Sequence, residues 1–271
     1  MTNLNNKKIM FVGNSLTFYG EVIINKNGKP TDEEGIFAKV ARSFGDEVRI
    51  TNFTFGGAGF IDGRRSAIDD GLDEEGQYGV YQLMKAYHPN HYGNTENNPL
   101  DSFYDQDIVV LQQRGAGIAQ SYEQAKLVAA LFPPNTEFAV LFTTYDAGNP
   151  ETTCAALRSS KNDGWTLIPA GQLAYDLYKG NLINGDYKYT RSDFVVTKDN
   201  IHPNYLTGYL KALGCYCALT GRSAVGADRS FVKRTTELYN SPDETRFCEI
   251  LDSDEEMLSL QKLLDQYIKN Y

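Results

Sequence analysis

Short apolar runs closed by glycine alternate along this chain with stretches whose apolar residues recur every three or four positions. KKIMFVG (7–13) is a compact apolar run ending at Gly13, the pattern of a buried first strand. GIFAKVARSFG (35–45) sets Ile36, Val40 and Phe44 at helical spacing, with Gly45 as the stop. DEVRITNFTFGG (46–57) alternates and is rich in β-branched and aromatic residues, which predicts a second strand. DIVVLQQ (107–113) and EFAVLFTTY (137–145) predict a third and a fourth, with a helix over SYEQAKLVAALF (121–132) between them. GWTLIPAGQLAYDLYKG (164–180) reads as a short strand followed by a helix. Alternating elements with strands apolar throughout predict an α/β domain built on a mainly parallel sheet.

Two segments fall outside that rhythm. Residues 62–105 are rich in Gly, Asn, Asp and Tyr and carry one helical stretch around 77–87, so they form a long excursion of the kind that often binds ligands. Near the C-terminus, SDEEMLSLQKLLDQYI opens with a capping box, Ser253 and Glu256. Leu260, Leu263, Leu264, Tyr267 and Ile268 then make one apolar stripe that packs on the domain or on a partner subunit. No linker divides the chain. The expectation is one domain over 1–271, with its core at about 7–225 and a helical extension at about 228–271.

A net charge of −9 with no Lys/Arg block argues against nucleic acid or an anionic membrane surface as partner. No apolar run approaches the roughly 18 residues of a membrane span. MTNLNNKKIMFVG reads as a first strand rather than a signal peptide. Cys154, Cys215, Cys217 and Cys248 form neither a disulfide framework nor a C-x-x-C zinc motif, so reduced thiols in a cytoplasmic protein are expected.

Candidate chemistry centres on three histidines, His88, His91 and His202. His202 lies in DNIHPNYLTGYLKALG, three residues after Asp199. D-x-x-H before a helix lets one loop set a carboxylate beside its own histidine, where it can accept from Nδ1–H and stabilise an imidazolium. Asp199 capping an ordinary turn fits the same residues. Pro203 can begin the following helix, along which Tyr205, Leu206, Tyr209, Leu213 and Tyr216 recur. His88 and His91 form H-x-x-H inside the excursion with no evident third ligand, so no metal is expected there.

Ser15, in FVGNSLTFYG, follows a strand and a glycine turn, either as an exposed nucleophile or as a helix N-cap. Gly57, in NFTFGGAGF, ends the second strand where a backbone N–H could face the same cleft. Gln112 and Gln113 close the third strand with side-chain amides able to donate to an oxyanion.

Together FVGNSLT, NFTFGGAG and DNIHP resemble, in order and spacing, three sequence blocks of the SGNH (GDSL-like) hydrolase superfamily. The resemblance covers roughly residues 7–225 and implies a three-layer α/β/α sandwich of flavodoxin-like type. It implies a serine ester hydrolase without cofactor, with Ser15 as nucleophile, His202 as base and Asp199 as its partner. The oxyanion hole would comprise the N–H groups of Ser15 and Gly57. The third block normally reads G-x-N-D, but LQQRGAG stands there, so Gln112, in preference to Gln113, is expected to replace the asparagine. The implied substrate is a small acyl ester, with an O-acetyl group on a carbohydrate favoured by the Tyr- and Asn-rich excursion. A fold that has kept its shape but lost catalysis, a lipase or thioesterase of the same superfamily, or a metal hydrolase using His88 and His91, stand as alternatives.

Overall fold

The computed structural model describes residues 3–23, 34–61, 79–85, 104–113, 120–142, 157–196, 199–235 and 245–271. His88, His91, Cys154 and most of the 62–105 excursion therefore lie outside the described residues. Strand β1 (Lys8–Gly13) leads through α1 (Ser15–Phe18) and α2 (Ile36–Ser43) to β2 (Arg49–Thr54). Next come α3 (Val80–Lys85), β3 (Ile108–Leu111), α4 (Ser121–Ala129), β4 (Glu137–Leu141), β5 (Thr166–Ile168) and α5 (Ala170–Lys179). The chain closes with α6 (Tyr205–Thr220), α7 (Arg246–Asp252) and α8 (Asp254–Asn270).

The five strands form one parallel sheet in the order β2-β1-β3-β4-β5. Central strand β3 is apolar and buried throughout, and β1 and β4 are apolar after their first residue, because both faces are covered; edge strand β2 (RITNFT) keeps polar residues along most of its length. Ile9, Phe11, Ile108, Val110, Ala139 and Leu141 point to one face, where α2, α5, α6, α7 and α8 pack. Met10, Val12, Val109, Leu111 and Val140 point to the other, where α3 and α4 supply Val80, Leu83, Met84, Ala125 and Val128. The result is a three-layer α/β/α sandwich with flavodoxin-like strand order. The chain leaves β1 to one side for β2 and to the other for β3, so the switch point lies between β1 and β3, where ligands of such sheets bind. No helix among the described residues is long and apolar enough to cross a membrane.

Three local expectations change. Strand β2 begins at Arg49 rather than at 46, because Asp46 is held in the preceding turn. Its N–H donates to Ala41 O, and its buried carboxylate accepts the Tyr216 hydroxyl at 2.7 Å. Helix α6 begins at Tyr205, not Pro203, because the Asn204 side chain is the N-cap and accepts from Thr207 N–H at 3.1 Å. Pro203 instead pairs with Val195 in an isolated bridge. The capping box of α8 is half formed. Ser253 Oγ accepts Glu256 N–H at 3.2 Å, but the Glu256 carboxylate turns to Arg246 Nη2 at 2.9 and 3.0 Å. A charged partner outweighs a lone backbone N–H. The apolar stripe of α8 packs on this domain, with Leu260 and Leu264 fully buried against α6 and its neighbours.

Glu256 is almost wholly enclosed, so removing Arg246 would leave a buried carboxylate without its counter-charge. Arg246→Ala is expected to lower stability by roughly 1–3 kcal/mol, read as a drop in the urea midpoint. Replacing both partners by apolar residues should recover most of it; an unchanged midpoint for Arg246→Ala would contradict this account.

Candidate active site

The carboxyl ends of β1, β2 and β3 carry the candidate residues. Phe55 N–H donates to Gly13 O at 3.0 Å and Gln112 N–H to Val12 O at 2.8 Å, so the ladder runs one step past the strands. This brings the segments around 14, 55–58 and 112 together at the switch point.

Ser15 is the first residue of α1, not its cap. Asn14 caps that helix, its Oδ1 accepting from Leu16 N–H at 3.0 Å. The same buried side chain donates from Nδ2 to Ala58 O at 2.8 Å, tying the serine turn to the glycine turn that contains Gly57. Gly57 holds a positive φ of 75° in that turn, which Ala58 N–H closes on Phe55 O at 3.2 Å. Among the described residues, no acceptor is bonded to the N–H of Ser15 or of Gly57. As the first helical residue, Ser15 has no partner for that N–H inside its own helix.

From the far end of the chain, His202 reaches the serine. His202 Nε2 lies 2.8 Å from Ser15 Oγ, and Nδ1 lies 2.7 Å from Asp199 Oδ2. The other carboxylate oxygen, Oδ1, accepts the backbone N–H groups of Ile201 at 2.9 Å and His202 at 3.0 Å. Asp199 thus caps its own turn and holds the histidine at once, so the two readings of D-x-x-H are one arrangement. Burial opposes ionisation of Asp199, but the His202 and Ile201 contacts outweigh it and hold the carboxyl below the usual aspartate range. An ionised carboxylate can only accept, so Nδ1 carries the proton and Nε2 is left to accept from Ser15 Oγ–H.

The two glutamines sit elsewhere than expected. Gln112 is 1% exposed, and its Oε1 accepts Asn14 N–H at 3.2 Å and Thr17 Oγ1–H at 2.8 Å. Because the Asn14 N–H can only donate, Oε1 must face it, and Nε2 donates to Gln113 O. Gln113 accepts Phe60 N–H at 3.1 Å and donates to Gln124 Oε1 at 2.8 Å. Gln112, expected as an oxyanion donor, instead has its amide turned beneath the serine turn. Gly13 allows that approach, since a Cβ there would stand 2.7 Å from Gln112 O.

Three contributors were not singled out from the sequence. Asn14 carries a helix-cap signal, but its tie to Ala58 is tertiary. Tyr19 stacks its ring on His202. Lys211 was visible as a lone charge inside an apolar helix; it is fully buried, and its Nζ donates to Leu16 O at 2.9 Å. Among the described residues, no group of three His, Cys, Asp or Glu side chains is placed to hold a metal.

Solved structures similar to this chain include a DUF4886 family protein from Bacteroides uniformis, at 12% identity over 95% of this chain and 96% of that chain, TM-score 0.48. Another is a carbohydrate esterase family 2 enzyme with a carbohydrate-binding domain from Corynascus thermopiles, at 15% identity over 82% of this chain and 68% of that chain, TM-score 0.47. A carbohydrate acetylesterase family member from Sinorhizobium meliloti is similar at 12% identity over 80% of this chain and 100% of that chain, TM-score 0.42. No family model and no curated protein matches the chain.

Two outcomes test the support beneath the serine. Gln112→Ala strips the acceptor from the buried Asn14 N–H and Thr17 hydroxyl, and a stability loss of about 1–3 kcal/mol is expected in urea unfolding. Burial pushes the Lys211 ammonium from 10.5 down to about 7. Between those values the unfolded chain binds the proton and the folded chain does not, so this lysine makes stability rise with pH; below about 7 its burial penalty is at its full size. Lys211→Met should therefore gain on the parent by more at about pH 6 than at about pH 9.5. A stability difference independent of pH would refute that assignment.

Proposed function

We propose that this protein is a cofactor-independent serine ester hydrolase of the SGNH (GDSL-like) type. One observation carries the reading: Ser15 Oγ, the His202 ring and the Asp199 carboxylate form a hydrogen-bonded line of 2.8 and 2.7 Å across 187 residues of sequence. A general base within such reach of a hydroxyl, itself oriented by a carboxylate, is the arrangement an acyl-transfer nucleophile needs.

In the proposed reaction, Ser15 Oγ attacks the ester carbonyl carbon while His202 Nε2 takes its proton. The imidazolium that forms is stabilised by Asp199. The carbonyl π pair moves onto oxygen, and the oxyanion is met by the N–H groups of Ser15 and Gly57. The intermediate collapses, the alkoxy group leaves with the proton from His202, and an acyl-serine remains. Water, deprotonated by His202, attacks that ester, and Ser15 is regenerated with release of the acid. With the Gln112 amide engaged beneath the turn, the oxyanion hole proposed here rests on backbone donors. A small acyl ester is the proposed substrate, with an O-acetyl carbohydrate as the favoured class because the 62–105 excursion is rich in Tyr and Asn.

The engaged glutamine amides favour one rival, a protein that kept the fold for binding and hydrolyses nothing. A fluorophosphonate probe separates the two. The hydrolase should be labelled at Ser15, and Ser15→Ala should abolish both labelling and turnover of p-nitrophenyl acetate. Activity retained by Ser15→Ala would exclude the mechanism; a parent protein that neither labels nor turns over would leave the binding protein. Since the base must be neutral to take the proton and Asp199 stays ionised, kcat/KM should show an acidic limb, falling as pH drops.

A further inference from the structure

Tyr19 joins the two halves of the triad through two different contacts. Its backbone N–H donates to the carbonyl of Ser15 as the C-cap of α1. Its ring lies flat on the His202 imidazole, with centroids 3.9 Å and planes 22° apart. The ring is partly exposed, so it forms the outer wall of the histidine, with Phe18 beside it at 5.4 Å.

The backbone leaves Tyr19 little freedom. The chain turns at Gly20, φ 73°, and this turn presses on α6. A Cβ on Gly208 would lie 1.9 Å from Gly20 O, and one on Gly20 would lie 2.5 Å from Asn204 O. Glu21, φ 59°, is then fastened to Lys233 by an ion pair of 2.6 Å. The ring is thus set between a fixed turn and the loop that carries the histidine.

A flat ring in that place has two physical effects. It blocks rotation of the imidazole out of the line between Asp199 and Ser15. Its π face also favours imidazolium over neutral imidazole. In the proposed reaction the imidazolium forms as Ser15 gives up its proton, so the contact strengthens as that step proceeds. Among the described residues, the Tyr19 hydroxyl makes no hydrogen bond, which leaves the ring as the working part.

We propose that Tyr19 is a positioning residue for the general base: its ring holds the His202 imidazole in line and stabilises it once protonated. This rests on the hydrolase reading given above. Among the described residues, the other groups hydrogen-bonded to the imidazole are Asp199 at Nδ1 and Ser15 at Nε2. Arg191 donates to Asn200 O within the histidine loop. Glu21 and Lys233 form their own pair beyond Tyr19, and Lys211 lies buried behind Leu16.

The test compares the parent with Tyr19→Phe, Tyr19→Leu and Ser15→Ala on p-nitrophenyl acetate, with kcat and KM measured across pH. Tyr19→Phe keeps the ring and should stay within about twofold of the parent. Tyr19→Leu should lower kcat roughly three- to thirty-fold, with KM within about twofold. Its acidic limb of kcat/KM should move to lower pH, because the imidazolium has lost its stacking partner. Parental kcat with an unmoved limb in Tyr19→Leu overturns the inference while an inactive Ser15→Ala leaves the hydrolase reading intact. A loss of kcat with an unmoved limb and a lowered melting temperature also overturns it, since that is packing alone. If Ser15→Ala stays active, the hydrolase reading falls and the inference with it.

Discussion

Where helix α6 meets the turn after Ser15, the contact is bare backbone on bare backbone. Gly208 and Gly20 approach so closely that a Cβ on Gly208 would stand 1.9 Å from a carbonyl oxygen. The geometry of the site depends on this approach. Ser15 hangs from the end of β1, whereas His202 stands just before α6, and a hydrogen bond between their side chains tolerates only a few tenths of an ångström. Any side chain inserted between the two carriers would open that distance. Helix α6 itself cannot yield, because it is buried along almost its whole length among α2, α5, α8 and β5. The sandwich therefore holds Ser15 against His202, the two halves of the proposed triad, through its most enclosed element.

Beneath the serine turn lies a layer of buried polar groups, and their bonding explains how a four-residue helix keeps its shape. Asn14 spends both ends of its amide, on Leu16 N–H and on Ala58 O. Gln112 accepts from Asn14 and Thr17. Each such group would cost free energy if buried without a partner, so the set is stable only when the turn is in place. Lys211 differs from the rest. Among the described residues its single hydrogen-bond partner is a neutral carbonyl and no carboxylate offsets its charge, so burial acts against that charge.

Much of this was legible in the sequence, for identifiable reasons. Strands covered on both faces are apolar over their buried length, and the runs IVVL in DIVVLQQ and IMFV in KKIMFVG show it. The turn that places Ser15 after β1 and the Asp199–His202 hydrogen bond were legible because each depends on neighbours within three residues, and short-range geometry is written in short-range sequence. Asn14 to Ala58, Tyr19 on His202 and Lys211 under Leu16 are contacts between distant segments, which no local pattern encodes. Gln112 is an instructive case because its direction follows from a rule already available. Side chains alternate along β3, so Gln112 shares the face of Ile108 and Val110, toward the serine turn and α6, and Gln113 shares that of Val109 and Leu111, toward α4. Residue type suggested an amide donor; parity along the strand gives its face.

That parity bears on how an ester hydrolase could work without the asparagine of its resembled family. A side-chain donor at the end of β3 would have to point along the strand, out over the crevice, and both glutamines point to the faces instead. In the proposed mechanism the charge that develops on the substrate oxygen is then met by backbone N–H groups at Ser15 and Gly57. Their separation is governed by the single Asn14 side chain that bonds both turns. Backbone donors held by buried amides are already oriented before substrate arrives, and preorganised donors of this kind need no rearrangement as charge develops. In that mechanism the buried amides of Asn14 and Gln112 would support the oxyanion site from below, where the familiar asparagine would line it directly.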